Sequence, residues 1–341
     1  MQMQTSGPIA ELEEAQTTAR RVFSLISEEM LEVEAEFERQ ARSNIQVIAY
    51  IGDYLRSSGG KRVRPALTIL SDYTVGGPSS RQSLIRMATV MEFLHTATLV
   101  HDDIIDNAET RRNRPSVNSR FGNQTAVLMG DWLYMSAFET SLAERSLPIL
   151  DILTAATRKM TEGELLQLTL IGSTEITEAE YLDILQRKTA YLFSACCEIG
   201  AIMGGANAAQ QEALRQYGMN LGTAFQLIDD LLDFTATDET LGKAAGVDLL
   251  EGKLTLPLIY LLESEPAARQ TLQSVIADGR YQKMTREELV EKVERTGALD
   301  RARSRAAFYA EAARDALLKL PASKYSDALN SIPSYIIERD S

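Results

Sequence analysis

Long apolar runs at helical spacing govern what this chain can fold into. Residues 80–106, for example, are apolar for most of their length. A helix that is apolar nearly all round cannot face water, so other helices must surround it. No alternating pattern of useful length marks a β-strand, and no low-complexity segment intervenes. The periodicity predicts helices over 9–40, 43–57, 64–74, 80–106, 124–145, 147–171, 177–204 and 208–234. Further helices are expected over 254–264, 266–278, 286–297, 299–319 and 322–337. Turn chemistry separates them: Ser57-Ser58-Gly59-Gly60, Gly76-Gly77-Pro78, a polar segment 107–116 containing Pro115, and a glycine-bearing segment 235–252. The expected fold class is therefore all-α, a single large helical bundle. Residues 1–7 read as a disordered tail and 8–341 as one domain.

Two acidic pentads of the form D-D-x-x-D follow apolar helical runs. They are Asp102-Asp103-Ile104-Ile105-Asp106 and Asp229-Asp230-Leu231-Leu232-Asp233. Residues four apart share a helix face, so Asp102 lies with Asp106 and Asp229 with Asp233. Carboxylates crowded at the end of an apolar stripe repel one another and lose hydration. Something positive must offset that cost. Hard oxygen ligands suit Mg²⁺, which binds through a few carboxylates together with substrate phosphates. One such pentad alone is as readily a solvated acidic helix end; two of matched form and context argue against that.

Cations cluster around both pentads in sequence. Gly59-Gly60-Lys61-Arg62-Val63-Arg64-Pro65 sets three of them after two glycines, just before a helix. Glycine lets a backbone approach a ligand closely, and helix N-termini and Arg forks favour phosphate oxygens. Arg111-Arg112 follow the first pentad, Lys188 sits on a helix, and Lys243 and Lys253 follow the second pentad. The pattern fits two anionic groups, one held through metal and the other held directly by Lys and Arg.

Composition sets the outer bounds. The net charge of −13 disfavours a nucleic-acid partner. The only cysteines, Cys196 and Cys197, are adjacent within an apolar stretch, a poor disulfide framework and a poor zinc site. They read as small core residues in a reducing compartment. No charged segment with a long apolar core opens the chain, and the apolar runs fall short of a membrane span. No transmembrane segment and a cytoplasmic location are expected.

These motifs together resemble the trans-isoprenyl diphosphate synthases, or polyprenyl synthetases. The matching residues are Gly59 to Pro65, His95-Thr96-Ala97-Thr98-Leu99-Val100-His101 running into Asp102–Asp106, Arg111-Arg112, Gly130-Asp131 and Lys188-Thr189. Phe225-Gln226-Leu227-Ile228 before the second pentad, then Leu241-Gly242-Lys243 through Asp248 to Glu251-Gly252-Lys253, complete them. The resemblance covers roughly 40–340 and is nearest to long-chain, octaprenyl-type synthases. The first pentad has two residues between its aspartate groups, unlike the inserted form of some bacterial short-chain enzymes.

The resemblance implies a helical bundle around a central cavity with the two pentads facing each other across it. Asp102, Asp106 and Asp229 would bind Mg²⁺ directly, with Asp103 and Asp233 close by, and Asp230 would count with them among the catalytic residues. Arg111, Lys188, Lys243 and Lys253 would assist the allylic prenyl diphosphate. Lys61, Arg64, His95 and Arg112 would hold isopentenyl diphosphate. Thr189 and Gln226 would present oxygens to the allylic carbocation. Ala97 and Thr98, the fifth and fourth residues before Asp102, would leave the product tunnel open. Met135, Phe138 and Ser141 are candidates for its floor. Helices apolar on more than one face, and the family itself, point to a homodimer. A geranylgeranyl or other shorter-chain synthase is an alternative. So is a class I terpene cyclase, although that enzyme does not need the second diphosphate site. A non-catalytic partner subunit would typically lack one or both Asp motifs.

Overall fold

The computed structural model describes residues 20–78, 80–112, 114–235 and 246–337. Helices α1 (Ser27–Ala41), α2 (Gln46–Ser57), α3 (Val63–Val75) and α4 (Arg81–Ile105) lead to a small hairpin of β1 (Thr110–Arg111) and β2 (Arg114–Pro115). The hairpin is antiparallel, with Thr110 opposite Pro115. Next come α5 (Val117–Phe121), α6 (Asn123–Leu142), α7 (Leu147–Leu170) and α8 (Glu178–Leu185). A π-helical turn, Gln186–Ala190, joins α8 to α9 (Tyr191–Met203), which precedes α10 (Ala208–Thr235). The last helices are α11 (Val247–Leu250), α12 (Leu256–Ser264), α13 (Arg269–Asp278), α14 (Arg286–Arg295), α15 (Ala298–Leu317) and α16 (Lys324–Ile337). The all-α class expected from periodicity is the class observed.

Local chemistry fixes the helix starts. Ser80 accepts the Ser83 amide to open α4. Thr177 with Glu180 and Thr285 with Glu288 form reciprocal capping boxes at α8 and α14. Each cap satisfies amides the helix leaves unpaired and is worth about 1 kcal/mol. At the other end of α3, Gly76 donates to the Asp72 carbonyl and ends the helix.

One hydrophobic cluster runs from Val22 to Ile336. Helix α10 packs against α9 and α15, α9 against α3, and α4 against α6. Two glycines permit the closest of these approaches. A Cβ on Gly200 of α9 would lie 2.3 Å from the Thr68 carbonyl oxygen of α3. A Cβ on Gly218 of α10 would lie 2.5 Å from the Phe193 carbonyl oxygen of α9. The near-contact of three backbones brings Arg64, the Lys188-Thr189 turn and the second pentad into one region.

The differences from expectation are local. The single helix expected over 177–204 is two helices joined through the π turn, because its apolar pattern contains no stop signal where one residue is inserted. The polar segment 107–116 carries the hairpin. Residues 117–121 form the short α5. Part of the segment 235–252 is helical, at α11. The expected tail 1–7, residues 9–19 of the first expected helix and Lys243 lie outside the described residues.

Candidate active site

The first pentad ends α4, where the unpaired carbonyls already disfavour negative charge. Asp102 is half-buried, and burial pushes its carboxyl up to about 7. Lys188 and Arg111 pull it down, while Glu164 and Asp106 add repulsion. Asp106 takes the Lys253 ammonium at 3.0 Å, and Lys253 also reaches Glu251 at 2.8 Å. Asp103 takes a different part. It is 3% exposed and accepts a forked pair from Arg111, with Nε at 2.8 Å and Nη2 at 2.7 Å. The pentad thus splits: Asp102 and Asp106 on one face, Asp103 locked to the hairpin that follows.

The second pentad splits likewise. Asp230 accepts from Tyr181 Oη at 2.5 Å and from Gln226 Nε2 at 2.9 Å. Burial, with Asp248 and Asp229 nearby, pushes it up to about 7. Asp233 is buried and its Oδ1 accepts the backbone amides of Gly246 and Val247, at 3.0 and 3.4 Å, at the start of α11. These hydrogen bonds of Asp233, a residue expected close to the metal, anchor the segment that carries Asp248 to Lys253. Asp229 is half-buried, and its charge supports the Arg64 guanidinium.

The π turn links the pentads. Lys188 Nζ lies 2.5 Å from Glu164 and 3.0 Å from Gln167, and its charge reaches Asp102. The next residue, Thr189, donates to Gln226 Oε1 at 2.9 Å on the second pentad's helix. A widened turn lets consecutive residues serve both sides, and such turns cluster at functional sites.

The basic loop sits beside them. Arg64 lies over the Phe193 ring, 4.9 Å from its centroid, and burial lowers its pKa. Its Nε has no hydrogen-bond partner among the described residues. Burial and the charges of Arg64, Arg112, Arg111 and Arg62 push His95 well below its ordinary value, so its imidazole is neutral. Arg112 is exposed and donates to the Gly59 carbonyl; Lys61 is exposed. A pocket opens between Gly59, Arg62, Arg111 and Arg112. It takes in Asp103 and Glu92 but none of Asp102, Asp106 or Asp229.

Several residues here have no role assigned from the sequence. Arg62 adopts a left-handed backbone and turns into ion pairs with Glu34 at 2.6 Å and Glu92 at 2.7 Å. Glu92 stands one turn before His95 inside an apolar run, a signal that was available. Tyr181 on α8 reads simply as a core aromatic. Ala97 is fully buried, and Thr98 donates to the His95 carbonyl at 2.8 Å. Of the proposed floor residues, Ser141 is buried and Phe138 half-buried. Met135 is 62% exposed in the single chain, so it is not a floor residue within it.

Among the described residues, no three His, Cys, Asp or Glu side chains gather into a metal cage. The donor set nonetheless fits a hard cation that keeps waters and shares substrate phosphates. Asp102, Asp106 and Asp229 are half-buried oxygen donors, and Asp102 is crowded by further carboxylates.

A family model described as polyprenyl synthetase matches residues 45–293. The octaprenyl diphosphate synthase of Escherichia coli (strain K12) is 37% identical over 321 residues, 94% of this chain and 98% of that protein. A polyprenyl synthase from Caulobacter crescentus CB15, solved with calcium and isoprenyl diphosphate, superposes with a TM-score of 0.89 at 36% identity. That match covers 95% of this chain and 98% of the other. A decaprenyl diphosphate synthase from Rhodobacter capsulatus matches with a TM-score of 0.89 at 35% identity, over 95% and 99% of the two chains.

Proposed function

This chain belongs to the polyprenyl synthetase family and is a trans-polyprenyl diphosphate synthase; we propose that it joins isopentenyl diphosphate to an allylic prenyl diphosphate in a Mg²⁺-dependent reaction, building a long, octaprenyl-type chain. The observation that best supports the reading is the convergence of separate cations on both pentads. Lys253 bonds Asp106, Lys188 faces Asp102, and Arg64 feels Asp229.

Asp102, Asp106 and Asp229 would hold Mg²⁺, which when bound neutralises charge developing on the allylic diphosphate. Lys188, Lys253 and Arg111 would bind the same diphosphate and stabilise it as the C–O bond breaks. Arg64, Lys61, Arg112 and neutral His95 would orient isopentenyl diphosphate so that its double bond meets the allylic cation. Thr189 and Gln226 would turn oxygens toward that cation. The apolar wall of α4 would exclude water from it. No protein base is assigned for the final proton loss; the departed diphosphate can take it.

The chain would act as a homodimer. Val127, Leu128, Met135 and Leu142 on α6 and Leu165 and Leu168 on α7 are exposed in the single chain. Apolar exposure on neighbouring helices is the mark of an association surface. No helix among the described residues is long and apolar enough to cross a membrane, and the reading assigns the enzyme to the cytoplasm.

The test is incorporation of labelled isopentenyl diphosphate into extractable product. Incorporation that requires farnesyl diphosphate and Mg²⁺ and stops with EDTA supports the reading. Equal incorporation with and without divalent metal sinks it.

A further inference from the structure

Three hydrogen bonds in sequence run from α8 to the π turn, and they begin on a residue outside every motif. Tyr181 is 8% exposed, and its Oη donates to Asp230 Oδ2 at 2.5 Å. That length is typical of a charge-assisted O–H···O⁻ bond. Gln226 Nε2 donates to the other oxygen of Asp230 at 2.9 Å. Gln226 Oε1 accepts from Thr189 Oγ1 at 2.9 Å. Burial and the neighbouring Asp230 charge keep the Tyr181 phenol protonated, so it remains a donor.

An amide side chain has two faces that differ only in which end donates. The hydrogen bonds fix the choice: the nitrogen of Gln226 donates to Asp230, and its oxygen accepts from Thr189. The lock is as good as the carboxylate is fixed. Asp230 stands near two other acids, Asp229 and Asp248, whose repulsion would rotate it away. Tyr181 is the donor that ties it from the opposite side. Without that tie the Gln226 amide is free to turn its N–H groups toward Thr189. The positive end of its dipole would then replace the negative end.

We propose that Tyr181 is a positioning residue for the prenyl-transfer step: by holding Asp230 it fixes the Gln226 amide with its oxygen beside Thr189, where an allylic cation needs negative dipole ends. This rests on the prenyl-transfer reading. Preorganised dipoles act because they need no reorganisation when charge appears. The same bonds divide the second pentad, leaving Asp229 for metal while Asp230 serves the protein.

The experiment measures kcat and both KM values for Tyr181→Phe, in the wild-type background and in Gln226→Ala. The substrates are isopentenyl and farnesyl diphosphates with Mg²⁺. Tyr181→Phe should lower kcat about tenfold, equivalent to about 1.4 kcal/mol, with the KM for isopentenyl diphosphate within about twofold of wild type. In Gln226→Ala there is no amide left to lock, so Tyr181→Phe should cost less than about twofold. A structural role for the hydroxyl would cost the same in both backgrounds, and that result overturns the inference. So does an unchanged kcat in Tyr181→Phe. Asp230→Asn reads the same lock from its other side and must show the same dependence on Gln226; it serves if Tyr181→Phe does not fold. Failure of the wild type itself to incorporate isopentenyl diphosphate would instead overturn the prenyl-transfer reading and this inference with it.

Discussion

Lys253 Nζ stands 3.0 Å from Asp106 Oδ1, joining two segments that are 147 residues apart in the chain. The bond ties the segment that Asp233 anchors to the end of α4. It also raises the pKa of Lys253, because Asp106 and Glu251 outweigh the cost of burial. The ammonium is therefore charged throughout the working range of the protein.

Lys253→Ala removes this charge from the first pentad's side of the site. The KM for farnesyl diphosphate should rise about tenfold or more, since charge-assisted contacts to phosphate are the strong ones. The KM for isopentenyl diphosphate should change little. Arg64→Ala and His95→Ala should show the opposite pattern. Steady-state kinetics with each substrate varied in turn gives the comparison, and equal effects from all three variants would refute the division into two diphosphate sites.

Asp102→Ala and Asp229→Ala should each lower kcat by about 10²–10³ at saturating Mg²⁺. Far-UV circular dichroism should be unchanged, because each substitution relieves repulsion among carboxylates. Full activity in both variants would remove these residues from the metal site.

Asp72 on α3 supplies a pH test away from the pentads. It is fully buried, neither carboxylate oxygen has a hydrogen-bond partner among the described residues, and burial pushes it up to about 7. A carboxyl whose folded pKa exceeds its unfolded value favours the fold at low pH. That contribution is lost as pH rises from the unfolded value, about 4, through 7. Asp72→Asn removes the penalty, so its gain in Tm should be larger at pH 8 than at pH 5, by roughly 2–4 °C. Calorimetry at the two pH values checks it, and an equal shift at both would contradict the sign.

The helices and both pentads were legible in the sequence because period and spacing carry them. The division of labour within each pentad was not. Asp102 and Asp103 are neighbours in the same motif, yet one is crowded by acids and the other is clasped by Arg111. Spacing gives a helix face but not the partner waiting on it, and the hairpin that brings Arg111 back comes from a segment with no β pattern. The π turn was hidden because one inserted residue barely disturbs an apolar run. Met135 was misplaced for a related reason. Helix α6 is apolar on nearly every side, so the sequence alone does not tell a covered face from an open one. Tyr181 was invisible because a lone aromatic on an amphipathic helix most often means packing.

Ala97 lies on α4, five residues before Asp102, and is fully buried. If growing product runs along this helix, a ring at Ala97 fills its path. Ala97→Phe should keep the condensation chemistry and shorten the product. In a tightly packed core the same substitution would cost about 1–3 kcal/mol. Short products at nearly unchanged Tm therefore identify open space, whereas an unchanged product distribution rules the tunnel away from this face.

The most direct test of long-chain synthesis is the length of what the unaltered protein makes. Purified enzyme is given Mg²⁺, labelled isopentenyl diphosphate and farnesyl diphosphate, and the dephosphorylated products are separated by reversed-phase chromatography. An all-trans product of about octaprenyl length is predicted; a product distribution that stops at geranylgeranyl diphosphate would contradict it.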